Sequence, residues 1–277
     1  MRLILLSFPE TLASLRRFRM KLQLTRLGLT LACALGVAPR LPAQIRADER
    51  ALAAEARMVE AMGGRRAWES ARFFDFVWAV ERPGRPPTER RHVWDRWTGR
   101  YKLEMPLRDG RHMVAIFNAN TKAGDVWIDN SKLTGDSVQT LLDRAYAVHI
   151  NDSYWLIMPF KWLDPGVNLE YLGLVTDSTG KQWEKIQLTF ENVGLTPDNR
   201  YHAYLDPETW LMGWWEHFRQ RADSIPGVRC QWLAWEQRGP IKVSLDRPFL
   251  GGGARIYFPQ AVIATEVDES AFAPPSP

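Results

Sequence analysis

Cysteine is nearly missing from this chain: of 277 residues only two are cysteine, Cys33 and Cys230. They cannot build the disulfide framework of a small cross-linked scaffold. Long apolar runs are missing too. The longest, Leu27 to Ala38, is about 12 residues, and a helix crossing a bilayer needs about 20. Catalytic signatures are also lacking. There is no G-x-S-x-G elbow, no phosphate loop ending in G-K-[ST] and no H-E-x-x-H helix. His92, His112, His149, His202 and His217 are scattered without ligand spacing, which favours solvated or satisfied strand histidines over a metal site. Gly251-Gly252-Gly253 lacks the strand-to-helix setting of a dinucleotide loop and reads as a flexible turn. Asp206 and Glu208 are paired acids in a turn, with nothing to mark a pocket around them. No catalytic residue, metal or cofactor is assigned.

What is present begins with a leader. Lys21 and Arg26 precede the apolar stretch Leu27 to Ala38, and Leu41-Pro42-Ala43 follows, the charged, apolar, small-residue order of a secretory signal. Cleavage after Ala43 is expected, because a break after Ala38 would put Pro39 first. Met20 is the better initiator, since Leu3 to Phe8 is separated from the signal by Glu10, Arg16, Arg17 and Arg19. Thr30-Leu31-Ala32-Cys33 is close to the pattern that acylates a cysteine. The Thr at 30 and the apolar run continuing past Cys33 argue against anchoring there.

Removing the leader changes the charge. Seven of the 36 Lys and Arg but one of the 32 Asp and Glu precede Gln44, leaving 29 basic against 31 acidic. The basic balance belongs to the leader. Nucleic-acid binding needs clustered Lys and Arg, and the body has no such excess. Cys230, then alone, reads as a buried small apolar residue in a strand.

Residues 44–277 read as one domain, with no linker, repeat or charge block to divide them. Asp48 can cap a helix from Glu49 to Met62, with Leu52, Ala56 and Val59 on one face and Gly63-Gly64 as the stop. A helical turn from Arg65 to Ser70 follows. From Phe73 the period becomes two. Strands are expected around Phe74–Val80, Thr88–Trp97, Tyr101–Met105, His112–Asn118 and Gly124–Asp129. A helix over Asp136–Ile150 interrupts them, buried through Val138, Leu141, Leu142, Ala145 and Tyr146. Strands resume at Val167–Thr176, Lys181–Glu191, Arg200–Asp206, Thr209–Phe218, Val228–Glu236, Ile241–Leu245, Arg255–Phe258 and Ala261–Val267. The expectation is a mainly β fold: a strongly curved antiparallel sheet, or incomplete barrel, with a few helices on its concave side.

All 13 tryptophans lie beyond the leader. Large amphipathic rings suit apolar cavities, membrane interfaces and carbohydrate platforms as well as ordinary cores. The strand with Trp210, Met212, Trp214 and Phe218 on one side and Leu211 and Trp215 on the other is apolar on both faces. The densest apolar segment is Asn151 to Gly166. Pro159 and Pro165 forbid a continuous helix through it, so it is expected in extended or irregular form, as a plug or lid on the concave side.

That segment, with Met62-Gly63-Gly64, Val93-Trp94-Asp95, Phe117-Asn118-Ala119-Asn120-Thr121 and Phe190 to Pro197 before Arg200-Tyr201, resembles a family of uncharacterised bacterial exported proteins. These in turn resemble the LolA/LolB-like lipoprotein-sorting carriers. The resemblance implies an incomplete β-barrel with helices in its open side, enclosing an apolar cavity for acyl chains. It transfers no functional residue, since no carrier motif maps onto this chain position by position.

The expected site is therefore a hydrophobic cavity. Trp155, Met158 and Phe160 would gate it, and Phe76, Trp78, Leu103, Ile186, Leu188, Phe190, Met212 and Trp214 would line it. The expected protein is a periplasmic monomer binding a lipid or acylated ligand, with an envelope membrane protein as a further partner. Two other readings stay open: a secreted β module holding glycan or protein through exposed Trp, and a hydrolase with an unrecognised site.

Overall fold

The computed structural model describes residues 46–276 apart from Asn192; the leader, with Met20, Cys33 and the cleavage site, lies outside the described residues. The chain opens with β1 (Arg46–Ala47) and α1 (Glu49–Ala61). Asp48 caps α1 as expected, its carboxylate accepting from the Ala51 N–H at 2.8 Å, which satisfies one of the orphan donors of the first turn. Gly63 and Gly64 stop it at φ +114° and +87°, and a side chain at Gly63 would meet the Pro240 carbonyl. The buried stripe is Ala51, Ala54, Glu55, Met58 and Val59; of the expected face Val59 is buried, while Leu52 and Ala56 are turned to water. The core takes the helix through Ala51, Ala54, Met58 and Val59, a stripe rotated from the one through Leu52 and Ala56.

α2 (Arg65–Ser70) leads into a run of antiparallel strands: β2 (Phe73–Arg82), β3 (Arg85–Asp95), β4 (Arg100–Pro106), β5 (His112–Asn118), β6 (Gly124–Ile128) and β7 (Ser131–Lys132). Then come α3 (Ser137–Ile157), a 3₁₀ turn at Met158–Lys161, β8 (Val167–Thr176), β9 (Gln182–Phe190), β10 (Arg200–Leu205) and β11 (Met212–Phe218). β12 (Val228–Gln231), β13 (Leu233–Arg238), β14 (Ile241–Pro248) and β15 (Arg255–Ala264) complete the strands. Val228–Glu236, expected as one strand, breaks at Trp232, where β12 and β13 pass to different sheets. The two expected strands from Arg255 onward are one, β15, carrying an irregularity between Tyr257 and Gln260.

Two sheets result. One runs β1-β8-β9-β10-β11-β12 and the other β13-β14-β15-β2-β3-β4-β5-β6-β7. All neighbours are antiparallel except β1 on β8. They form the expected mainly β, unclosed architecture. Phe74, Phe76 and Trp78 of β2, Ile186 and Leu188 of β9, Met212 of β11, and Met58 and Val59 of α1 share one apolar core. A second core lies between β4–β6 and α3, where Leu142 and Ala145 are buried with Val138, Leu141 and Tyr146 beside them. That is the stripe read from the sequence.

Candidate functional site

The segment after Asn151 departs from expectation in form. Residues 151–157 continue α3, and Met158–Lys161 is a 3₁₀ turn. Pro159 removes only its own N–H and the room for the carbonyl four residues back. A helix can therefore run up to it, and Pro159 occupies an early position of the tighter turn, where a missing donor costs little.

Met158, Phe160 and Trp162 are buried in the main core. Trp162 Nε1 donates to Met158 Sδ at 3.0 Å. Phe160 lies flat on Trp68, ring centres 4.6 Å apart. Trp155 stands edge-on to Trp215 and parallel to Phe249. Phe76, Trp78, Ile186, Leu188, Phe190 and Met212 belong to the same cluster. Leu103 does not; it sits in the second core, under the first half of α3. Trp214 does not either. Tyr204 pairs with Trp214 but Leu205 with Met212, so Gly213 is an extra residue that reverses the alternation and turns Trp214 outward.

Sequence reasoning missed a polar cluster at the same place. The inward face of β3 carries Arg90 and His92, and α3 presents Asp152 to them. Arg90 donates twice to Asp152, at 2.6 and 2.8 Å, while its guanidinium covers Trp78 at 4.0 Å. His92 Nδ1 is 2.8 Å from the Tyr101 hydroxyl. Its Nε2 is 3.1 Å from Asp152 Oδ2, too bent for a full hydrogen bond. The His92 ring stacks on Phe76, and His149, one turn before Asp152, lies against Tyr101 at 4.2 Å.

The charges follow from burial. Burial pushes Asp152 up, but Arg90, His92 and Asn151 together hold it below the usual carboxylate range. Burial drives Tyr101 well up and His92 down, so both are neutral. The assembly is one fixed ion pair with two neutral hydrogen-bonding rings. It pins the C-terminal half of α3 to the sheet.

Buried histidines give a pH dependence. Burial above all brings His149 down to about 3 and His217 to about 4. An unfolded chain protonates histidine near 6.5. Below that the unfolded state binds protons that the folded state refuses, so stability is full above about pH 6.5 and declines toward pH 4. At pH 5 the loss is about 2 kcal/mol for each histidine. Urea midpoints at pH 7.5 and pH 5 measure it; His92, also held down by burial, adds to the loss in the same direction, and His149→Gln should remove only its own share of about 2 kcal/mol. Equal midpoints in the parent protein would refute the assignment.

Outward-facing Trp214 belongs to a second feature. On the outer face of the six-stranded sheet is a pocket of about 510 Å³ whose lining includes Trp183, Lys185, Tyr204, Trp214, Glu216 and Arg229. Trp214 stacks on Tyr204 at 3.6 Å. The Trp183 indole lies over Gly213, where a Cβ would come within 2.2 Å of it. Burial pushes Glu216 up, but His202, the Tyr204 hydroxyl and Arg229 bring it down to about 2.

No protein-family model matches the chain, and no curated protein matches it. Among solved structures it is similar to a DUF1329 family protein from Desulfovibrio piger, at 10% identity over 80% of this chain and 97% of that one, TM-score 0.46. It is likewise similar to a LolA superfamily protein from Nitrosomonas europaea, at 8% identity over 80% and 97%, TM-score 0.45. A third is the Mycobacterium tuberculosis lipoprotein LppX, at 13% identity over 77% and 96%, TM-score 0.27. A LolA superfamily structure thus stands among them, the group the sequence resembles. Every score is below 0.5, so what the site binds has to come from this chain's own geometry.

Proposed function

We propose that residues 44–277 are a monomeric envelope protein, exported by a cleaved leader, that holds an acyl chain between its two sheets. The observation that carries this reading is the filling of the interior. A helical segment rich in large apolar groups puts Met158 and Phe160 into the same apolar core as residues of β2, β9 and β11, with Trp155 packed against it. Among the described residues its polar tie to the sheet is at Asp152, which Arg90 holds and His92 flanks. Moving the segment aside exchanges its apolar contacts for those of a ligand chain. An acyl chain leaving a membrane loses about 0.8 kcal/mol per CH₂ exposed to water, so a carrier has to offer apolar cover of equal depth. Trp155, Met158 and Phe160 are the gate in this reading, with Phe76, Trp78, Ile186, Leu188, Phe190 and Met212 as wall. An envelope membrane protein is the natural donor or acceptor.

One observation favours a second reading. Half-buried Trp214, stacked on Tyr204, and Trp183 line a polar pocket beside Lys185 and Arg229, the combination expected of a glycan platform. Native mass spectrometry of protein purified from the cell envelope separates the two: a retained lipid supports the first, a retained oligosaccharide the second.

A further inference from the structure

β14 alternates Ile241, Val243 and Leu245 into the apolar core, and the next residue in that phase is Arg247. Its side chain is fully buried. The guanidinium lies over Trp232 at 4.0 Å and Phe258 at 4.9 Å. Nη2 donates to the Ser244 carbonyl at 2.8 Å, but Nε and Nη1 meet no acceptor among the described residues. Neither do the buried indole nitrogens of Trp215 and Trp232. Both indoles turn toward the Cys230 sulfur, a weak acceptor at best.

No negative charge compensates this cation among the described residues. Asp246, its chain neighbour, is on the other face and paired with Arg255 at 2.6 Å. Burial pushes the Cys230 thiol far up, so it stays protonated. Burial also lowers Arg247, to about 9, which leaves it charged at neutral pH. A buried unpaired guanidinium is among the most costly features a core can contain. Here several donors without acceptors gather around the Cys230 side chain: the Arg247 guanidinium and the indole N–H groups of Trp215 and Trp232. That spot adjoins the proposed gate: Phe249, two residues along β14 and its exit, packs on Trp155, and α3 packs on β14.

We infer that Arg247, with the indole N–H groups of Trp215 and Trp232, is the seat of the anionic head group of the acyl ligand. The inference rests on the acyl-carrier reading and deepens it: the ligand is an acyl chain ending in a carboxylate or a phosphate ester. The head enters an apolar enclosure where charge-assisted hydrogen bonds to a guanidinium are strong and specific, and the chain runs along the wall toward Met158 and Phe160.

The test is calorimetric titration of the purified protein with dodecanoate, dodecyl phosphate and dodecanol, which share a chain and differ in the head. At least one anion should bind about tenfold or more tightly than dodecanol, and which one does so names the head group. Arg247→Met should bring that anion level with the alcohol and leave dodecanol binding in place. Trp232→Phe keeps an aromatic ring, though a smaller one, and removes one donor. It should weaken the anion several-fold without affecting the alcohol, and it carries the test if Arg247→Met does not fold. Equal binding of all three ligands, or an anion preference that survives both substitutions, overturns the assignment to Arg247 while leaving the carrier reading intact. Failure of the parent protein to bind any of the three overturns the carrier reading, and this inference with it.

Discussion

Asp152→Ala should lower the unfolding free energy by about 3–5 kcal/mol, because it leaves the Arg90 guanidinium without its partner against buried Trp78. Asp152 is completely buried and its partner mostly so, so solvent does little to screen the loss. His92 loses its carboxylate neighbour in the same step. Arg90→Ala should cost a similar amount, since it strands Asp152. The double change Arg90→Met with Asp152→Leu should recover much of it, because apolar side chains remove the desolvation cost together with the attraction. Urea unfolding of the three variants measures this. Single-variant losses below about 1 kcal/mol would place the pair with ordinary surface ion pairs and remove its role in fastening α3.

Met158→Asp is the second large effect, and it decides what the segment does. Met158 is 1% exposed, with its sulfur under the Trp162 N–H. If the segment is a gate, it swings out and carries the new carboxylate to water. Unfolding then stays cooperative, but the charged residue cannot close over an acyl chain. Uptake of a fluorescent fatty acid should fall more than about tenfold, equivalent to about 1.4 kcal/mol. If the segment is only core, the carboxylate stays buried and unpaired, and the fold loses several kcal/mol. Measuring uptake and the unfolding midpoint on the same variant separates the two. Unchanged uptake in a stably folded Met158→Asp protein contradicts the gate.

Local signals were the legible ones. Asp48 as a cap, the Gly63-Gly64 stop, the stripe along α3 and the period-two strands could each be read because one residue or one short window determines them. The form of the segment after Asn151 was misread, because a proline restricts the backbone at its own position and the one before, and not the whole run. Trp214 was misplaced by the extra residue at Gly213, which alternation alone cannot reveal. The polar cluster was out of reach for a different reason. Arg90, His92, Tyr101 and Asp152 come from β3, β4 and α3, and only the topology that folds α3 across the sheet brings them together. Arg247 did leave a trace. Continuing the inward phase of Ile241, Val243 and Leu245 by two residues arrives at a charged side chain where an apolar one was due.

The central claim is that this interior holds an acyl ligand, and native mass spectrometry of protein purified from the cell envelope tests it most directly. The expected spectrum shows the mass of residues 44–277 plus a non-covalent adduct of lipid mass, released on mild activation and regained when stripped protein is mixed with phospholipid vesicles. The bare polypeptide both before and after that mixing, or an oligosaccharide as the sole adduct, would contradict it.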